Sequence, residues 1–75
     1  MEIGEPQTAL ESALEAVKLD PYRERAHWCL MRAYAATGNR AKAVAAYHEF
    51  RELLANEVGT DPEPETEALY LKILD

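Results

Sequence analysis

Arg25, Trp28, Cys29, Arg32 and Ala36 follow one another at three- and four-residue steps, the spacing that stacks side chains along one face of an α-helix. A guanidinium binds carboxylates through charge-assisted hydrogen bonds and lies flat on aromatic rings. An indole flanked by two of them can therefore grip an acidic or aromatic segment of another protein, and these five residues form the candidate partner-binding set. Alternatively, Trp28 packs against a neighbouring helix, and the arginines are solvated or are met by acids from a later helix of the same chain.

The remaining reactive side chains do not assemble into a catalytic pattern. Thr8, Ser12, Thr37, Thr60 and Thr66 stand in no motif with a histidine or lysine that would activate them, and the single cysteine, Cys29, has no paired base. The chain is therefore expected not to be an enzyme. His27 and His48 lie far apart, with no cysteine or acid at ligand spacing, so no metal site is expected and both are read as surface histidines. Glu63, Glu65 and Glu67 lack the glycine-bearing loop of a calcium site and are better explained as acids complementing a helix dipole. Gly4, Gly38 and Gly59 are isolated, so no phosphate-cradling loop and no cofactor are expected. Tyr34, Tyr47, Phe50 and Tyr70 fall on apolar stripes and read as core rather than as a ligand cage.

The elements that must position these residues are constrained by size. Seventy-five residues, 48% of them hydrophobic, suffice for one core, with no disulfide to support it. No apolar stretch approaches the ~20 residues needed to span a bilayer, and Met1-Glu2-Ile3-Gly4-Glu5 lacks the basic start of a signal peptide, so a cytoplasmic protein without membrane contact is expected. The net charge of −6 repels a phosphate backbone and argues against direct nucleic-acid contact. Charge is unevenly spread: residues 21–51 carry six bases and two acids, between acidic ends.

Apolar periodicity predicts four helices and no strand. The first, over 6–19, starts at Glu5-Pro6 and shows Leu10, Ala13, Leu14 and Val17 on one face. The second, over 22–37, is expected to open at Pro21 with Asp20 as its N-cap and to bury Ala26, Leu30, Ala33 and Tyr34. Gly38 should close it, with Asn39 capping a third helix over 40–57 that buries Ala43, Val44, Tyr47, Phe50 and Leu54. After a turn at Gly59, with Thr60 or Asp61 as candidate caps, a short fourth helix over 64–74 uses Leu69, Tyr70, Ile73 and Leu74.

At a shift of 34 residues Ala9 falls on Ala43, Leu10 on Val44, Glu15 on Glu49, Ala16 on Phe50 and Leu19 on Leu53. This is the tetratricopeptide period, and Leu30, Tyr34, Gly38, Ala43 and Tyr47 occupy its expected offsets. The expected fold is thus all-α, an antiparallel helix-turn-helix stack of tetratricopeptide type. The first helix corresponds to the second half of a repeat and the fourth to a modified cap. Residues 1–75 therefore read as a single domain fragment whose first helix leaves an apolar edge, to be covered by a neighbouring segment or by a second copy in a homodimer.

Residues 9–74 resemble the bacterial transcriptional activator domain of the Streptomyces antibiotic regulatory protein family. The resemblance is carried by Leu19-Asp20-Pro21-Tyr22-Arg23-Glu24-Arg25, Leu30-Met31-Arg32-Ala33-Tyr34, Gly38, Arg40, Ala43, Ala46-Tyr47, Leu53-Leu54, Glu57 through Glu65, Leu69 and Ile73-Leu74. It implies the C-terminal part of that domain, acting in transcription beside a winged-helix DNA-binding domain that this chain does not contain. The implied partners are proteins: the DNA-binding domain of the parent regulator, or RNA polymerase. The alternative is a general tetratricopeptide scaffold that binds a peptide in its concave groove.

Overall fold

The structure, a computed structural model, describes residues 6–75; Gly4 and the Glu5 part of the expected helix start lie outside them. Four helices follow in order: α1 Pro6–Leu19, α2 Glu24–Ala36, α3 Arg40–Glu57 and α4 Pro64–Leu74. No strand occurs among the described residues. Connections of a few residues force each helix to run antiparallel to the one before it, and α4 returns to pack on α2 as well as on α3. This is the all-α antiparallel stack the periodicity predicts.

Three helix starts differ from expectation in their chemistry. α2 begins at Glu24, with Arg23 rather than Asp20 at its N-cap and no side-chain cap. The Asp20 carboxylate instead accepts from the Tyr22 amide at 3.3 Å, a local turn that keeps Pro21 and Tyr22 outside the helix. Asn39 does sit at the α3 N-cap, but it makes no capping bond and donates from its side chain to Thr37 Oγ1 at 3.3 Å. At α4 the N-cap is Glu63, not Thr60 or Asp61. The helix ends follow prediction. Gly38 (φ 82°) and Gly59 (φ 78°) adopt the left-handed conformation, which lets the Asn39 amide reach Tyr34 O at 2.8 Å and the Gly59 amide reach Leu54 O at 2.6 Å.

The core runs from Leu10 and Ala13 of α1, through Leu30, Met31 and Ala33 of α2, to Ala46 and Tyr47 of α3. Leu69, Tyr70 and Ile73 of α4 pack against it, with Tyr70 stacked on Tyr47 at 4.0 Å. Of the expected apolar faces, Leu14 and Leu74 are largely exposed because no helix covers those sides of α1 and α4. His27 is buried rather than on the surface. Its ring stacks on Phe50 at 4.2 Å, and Nε2 lies 2.7 Å from Pro21 O. A carbonyl only accepts, so Nε2 carries the proton. His48 is exposed, as expected, and meets the Tyr70 hydroxyl at 3.3 Å.

α4 is held at both ends by polar contacts. At its start the Glu24 carboxylate accepts from the Glu63 amide at 2.7 Å and from the Thr66 hydroxyl at 2.5 Å. Thr66 is itself buried. This is the work a glutamate in the first turn does in a capping box, here supplied by a different helix. At the far end the Arg40 guanidinium donates to Leu74 O, where a cation also complements the negative end of the dipole.

The repeat is visible in space but its equivalent positions differ in burial. Ala43 is completely buried and Phe50 likewise, while their counterparts Ala9 and Ala16 are exposed and half-buried. α3 is sandwiched between α2 and α4, whereas among the described residues α1 packs against α2 alone. α4 opens forty residues after α2 rather than 34, because α3 runs 18 residues against 14 for α1 and the turn that follows it is longer.

Two outcomes are expected from this packing. Glu24→Ala should cost about 1–3 kcal/mol, because it strands the buried Thr66 hydroxyl; it should speed amide exchange in α4 before α1, and adding Thr66→Val should recover part of the loss. An additive double mutant in thermal melts would show that the two side chains are not coupled. Burial, reinforced by the Glu67 carboxylate and partly opposed by Arg51, pushes the Tyr47 phenol above its ordinary range. The unfolded chain then releases this proton first, so stability should fall as pH rises past about 10. Denaturant melts of the Tyr47→Phe variant should lack that component of the decline; an identical pH profile would remove Tyr47 as its source.

Candidate functional site

The candidate residues of α2 meet on one surface. Arg25, Trp28, Cys29, Arg32 and Ala36 all line a groove of about 600 Å³ between α1 and α2. α2 places them there because its opposite face, carrying His27, Leu30 and Met31, is consumed by the core. Helical spacing then leaves residues three and four apart pointing together at α1.

Trp28 is the centre of this surface. The Arg25 guanidinium lies 4.4 Å from its ring and that of Arg32 5.2 Å, within cation–π range. The ring is half-buried, and among the described residues its Nε1–H, shielded from solvent, has no acceptor, a donor whose desolvation costs about 1–3 kcal/mol while it stays unpaired. Cys29 is a free thiol that packs partly against the core, and Ala36 closes the far end of the wall. α4 contributes nothing to the groove lining, so its acids do not neutralise these arginines. Its amino-terminal end is instead held on α2 by Glu24.

The opposite wall was not legible in the sequence. Ala9, Ser12, Ala13 and Ala16 of α1, together with Arg23, complete the groove. Their small side chains leave room for another backbone to approach, and among the described residues the lining holds three arginines and no acid. The available signal was the repeat: Ala9 and Ala16 align with the buried Ala43 and Phe50, which marks them as positions that expect a cover.

A second, smaller cavity of about 270 Å³ lies between α3 and α4, lined by Tyr47, Arg51, Asp61, Pro62, Glu67 and Tyr70. Its lining sets Arg51 beside the two acids Asp61 and Glu67. No group of three or more His, Cys, Asp or Glu among the described residues is placed to hold a metal ion. No helix among them is long and apolar enough to cross a membrane.

Trp28 is the chain's single tryptophan, so its fluorescence reports this groove alone. Replacing Arg25 and Arg32 by alanine should preserve helicity by circular dichroism and cost at most about 1 kcal/mol per cation–π contact, while shifting Trp28 emission to the red. Unchanged emission would mean that the guanidinium groups do not cover the ring in solution.

Comparison with known proteins places this geometry in context. Residues 1–74 match the family described as the bacterial transcriptional activator domain. The chain is 38% identical over 74 residues to the regulatory protein AfsR of Streptomyces griseus, covering 99% of this chain and 8% of that protein. It is 35% identical over 71 residues to the transcriptional regulatory protein MoaR1 of Mycobacterium tuberculosis, covering 95% of this chain and 23% of that protein. Among solved structures, Mycobacterium tuberculosis EmbR, in a complex with a low-affinity phosphopeptide, superposes with a TM-score of 0.90 at 30% identity, covering 95% of this chain and 19% of that one. A four-helix tetratricopeptide-like stack with near-complete coverage by one family and by two transcription regulators leads to one assignment: the chain belongs to the bacterial transcriptional activator domain family, as found in Streptomyces antibiotic regulatory protein regulators.

Proposed function

We propose that this chain is the protein-interaction part of a bacterial transcriptional activator, working in the cytoplasm beside a winged-helix DNA-binding domain elsewhere in the same regulator. The observation that carries this reading is the α1–α2 groove, with its alanine-rich walls, three arginines, no acid among the described residues, and Trp28 in contact with two guanidinium groups. Such a surface suits a protein ligand: the indole supplies apolar area, and the arginines supply directed donors at low entropy cost.

Several features separate it from other roles. A chain of net charge −6 gains nothing from DNA phosphates outside its basic groove, so sequence-specific binding is assigned to the winged helix and not to these helices. The serine, threonine and cysteine residues of the sequence stand in no motif with an activating histidine or lysine, which supports a binding role over catalysis. A general tetratricopeptide scaffold would present a similar groove. The turn from Gly59 to Pro64 and the Glu24-held α4, which departs from the 34-residue register, favour the specialised regulator.

The test is affinity recovery from a bacterial lysate, comparing the chain with the combined Arg25→Ala, Trp28→Ala, Arg32→Ala variant after its helicity has been matched by circular dichroism. RNA polymerase subunits or a winged-helix regulator retained by the original chain alone are the expected result. Unrelated proteins retained in their place would favour the general scaffold, and equal recovery by both chains would place the contact surface away from the groove.

A further inference from the structure

We propose that the cavity between α3 and α4 is a binding site for a free α-amino acid, with Tyr47 and Arg51 holding its carboxylate and Asp61 and Glu67 its ammonium group. The site is separate from the α1–α2 groove. Its lining comes from α3, from α4 and from the turn that joins them.

The antiparallel pairing of α3 and α4 builds this cavity in layers. Tyr47 and Tyr70 stack at 4.0 Å with 10° between their ring planes. Arg51 follows Tyr47 by one helical turn and Glu67 precedes Tyr70 by one, so in antiparallel helices both fall in the layer next to the stacked rings. Asp61 and Pro62, from the turn, complete the lining of that layer.

The two tyrosines differ in what their hydroxyls do. Among the described residues the Tyr70 hydroxyl meets His48 Nε2 at 3.3 Å, whereas the Tyr47 hydroxyl makes no hydrogen bond, although Tyr47 is only 5% exposed and lines the cavity. Polar groups this deep normally have a partner. Burial and the Glu67 carboxylate, partly opposed by Arg51, keep the phenol protonated at neutral pH, so it is available as a donor.

The lining therefore offers donors from one helix and acceptors facing it. Tyr47 and Arg51 of α3 can donate to an anion; the Asp61 and Glu67 carboxylates only accept and suit a cation. A ligand with a negative charge alone is opposed by the two acids, and one with a positive charge alone by Arg51. A zwitterion uses both sides. The cavity of about 270 Å³ equals roughly nine waters at about 30 Å³ each, room for one amino acid. In a peptide the amine and carboxylate stand at opposite ends, so a free amino acid is the form that brings both charges into one small cavity.

The experiment titrates the full, isotope-labelled chain with L-leucine, L-leucinamide and N-acetyl-L-leucine, following the backbone amides by NMR. Saturable shifts centred on Arg51, Asp61 and Glu67 are expected with leucine. Leucinamide, which lacks the carboxylate, and N-acetyl-leucine, which lacks the ammonium group, should each bind at least about tenfold more weakly, as loss of a charge-assisted hydrogen bond implies. Tyr47→Phe, which keeps the ring, and Arg51→Gln, at an exposed position, should weaken leucine binding while leaving helicity by circular dichroism unchanged. No saturable shift with leucine up to about 10 mM would overturn the site. So would leucine binding that both variants retain in full. Equal binding of leucinamide would make this a cation site and equal binding of N-acetyl-leucine an anion site, and either result would overturn the amino acid.

Discussion

The Glu24 carboxylate joins two parts of the chain that sequence distance keeps apart. It sits in the first turn of α2, yet its Oε2 accepts both from the amide of Glu63 and from the buried hydroxyl of Thr66 at the start of α4. An amino-terminal helix end exposes amides that need acceptors, and α4 has no side-chain cap of its own. Borrowing the acceptor from α2 fixes where α4 begins. That placement brings Tyr70 onto Tyr47 and Ile73 onto the core, while Arg40 secures the other end. The longer α3 and the turn between Glu57 and Pro64 together deliver α4 to Glu24 even though the repeat register is broken.

The same interaction gives α2 two different faces. One is spent on the core, where Met31 is fully buried and His27 lies between Pro21 O and the Phe50 ring. With Glu24 drawn toward α4, the other face is left with arginine, tryptophan and small residues. A chain whose net charge is −6 thereby gathers three of its cations in one groove. Positive potential concentrated in a concave, partly apolar surface selects ligands by charge and shape together.

Several features were legible from residue order because they depend on neighbours along the chain. Gly38 and Gly59 stop helices wherever they stand, since left-handed backbone is open to glycine at little cost. The stripes at Leu10, Ala13 and Val17, and at Ala43, Tyr47, Phe50 and Leu54, follow from the helical period. The candidate residues Arg25, Trp28, Cys29, Arg32 and Ala36 were brought together for the same reason: one helix face holds all of them. Helix starts were less legible. Asp20, Thr60 and Asp61 all have the chemistry of caps, but a cap bond requires a particular backbone entry, and Asp20 was committed to the Tyr22 amide.

Sequence alone thus determined the four helices, their repeat relationship and one wall of the groove, because helix period, turn residues and spacing are properties of short stretches of chain. Tertiary structure alone decided that His27 is interior, that Ala9, Ser12 and Ala16 form the facing wall, and that the acids of α4 leave the arginines unneutralised. Each of these depends on which helices lie side by side. Contacts such as Glu24 with Thr66 link residues 42 apart in the chain, and no local pattern records which of several acids will be in reach once the helices have packed.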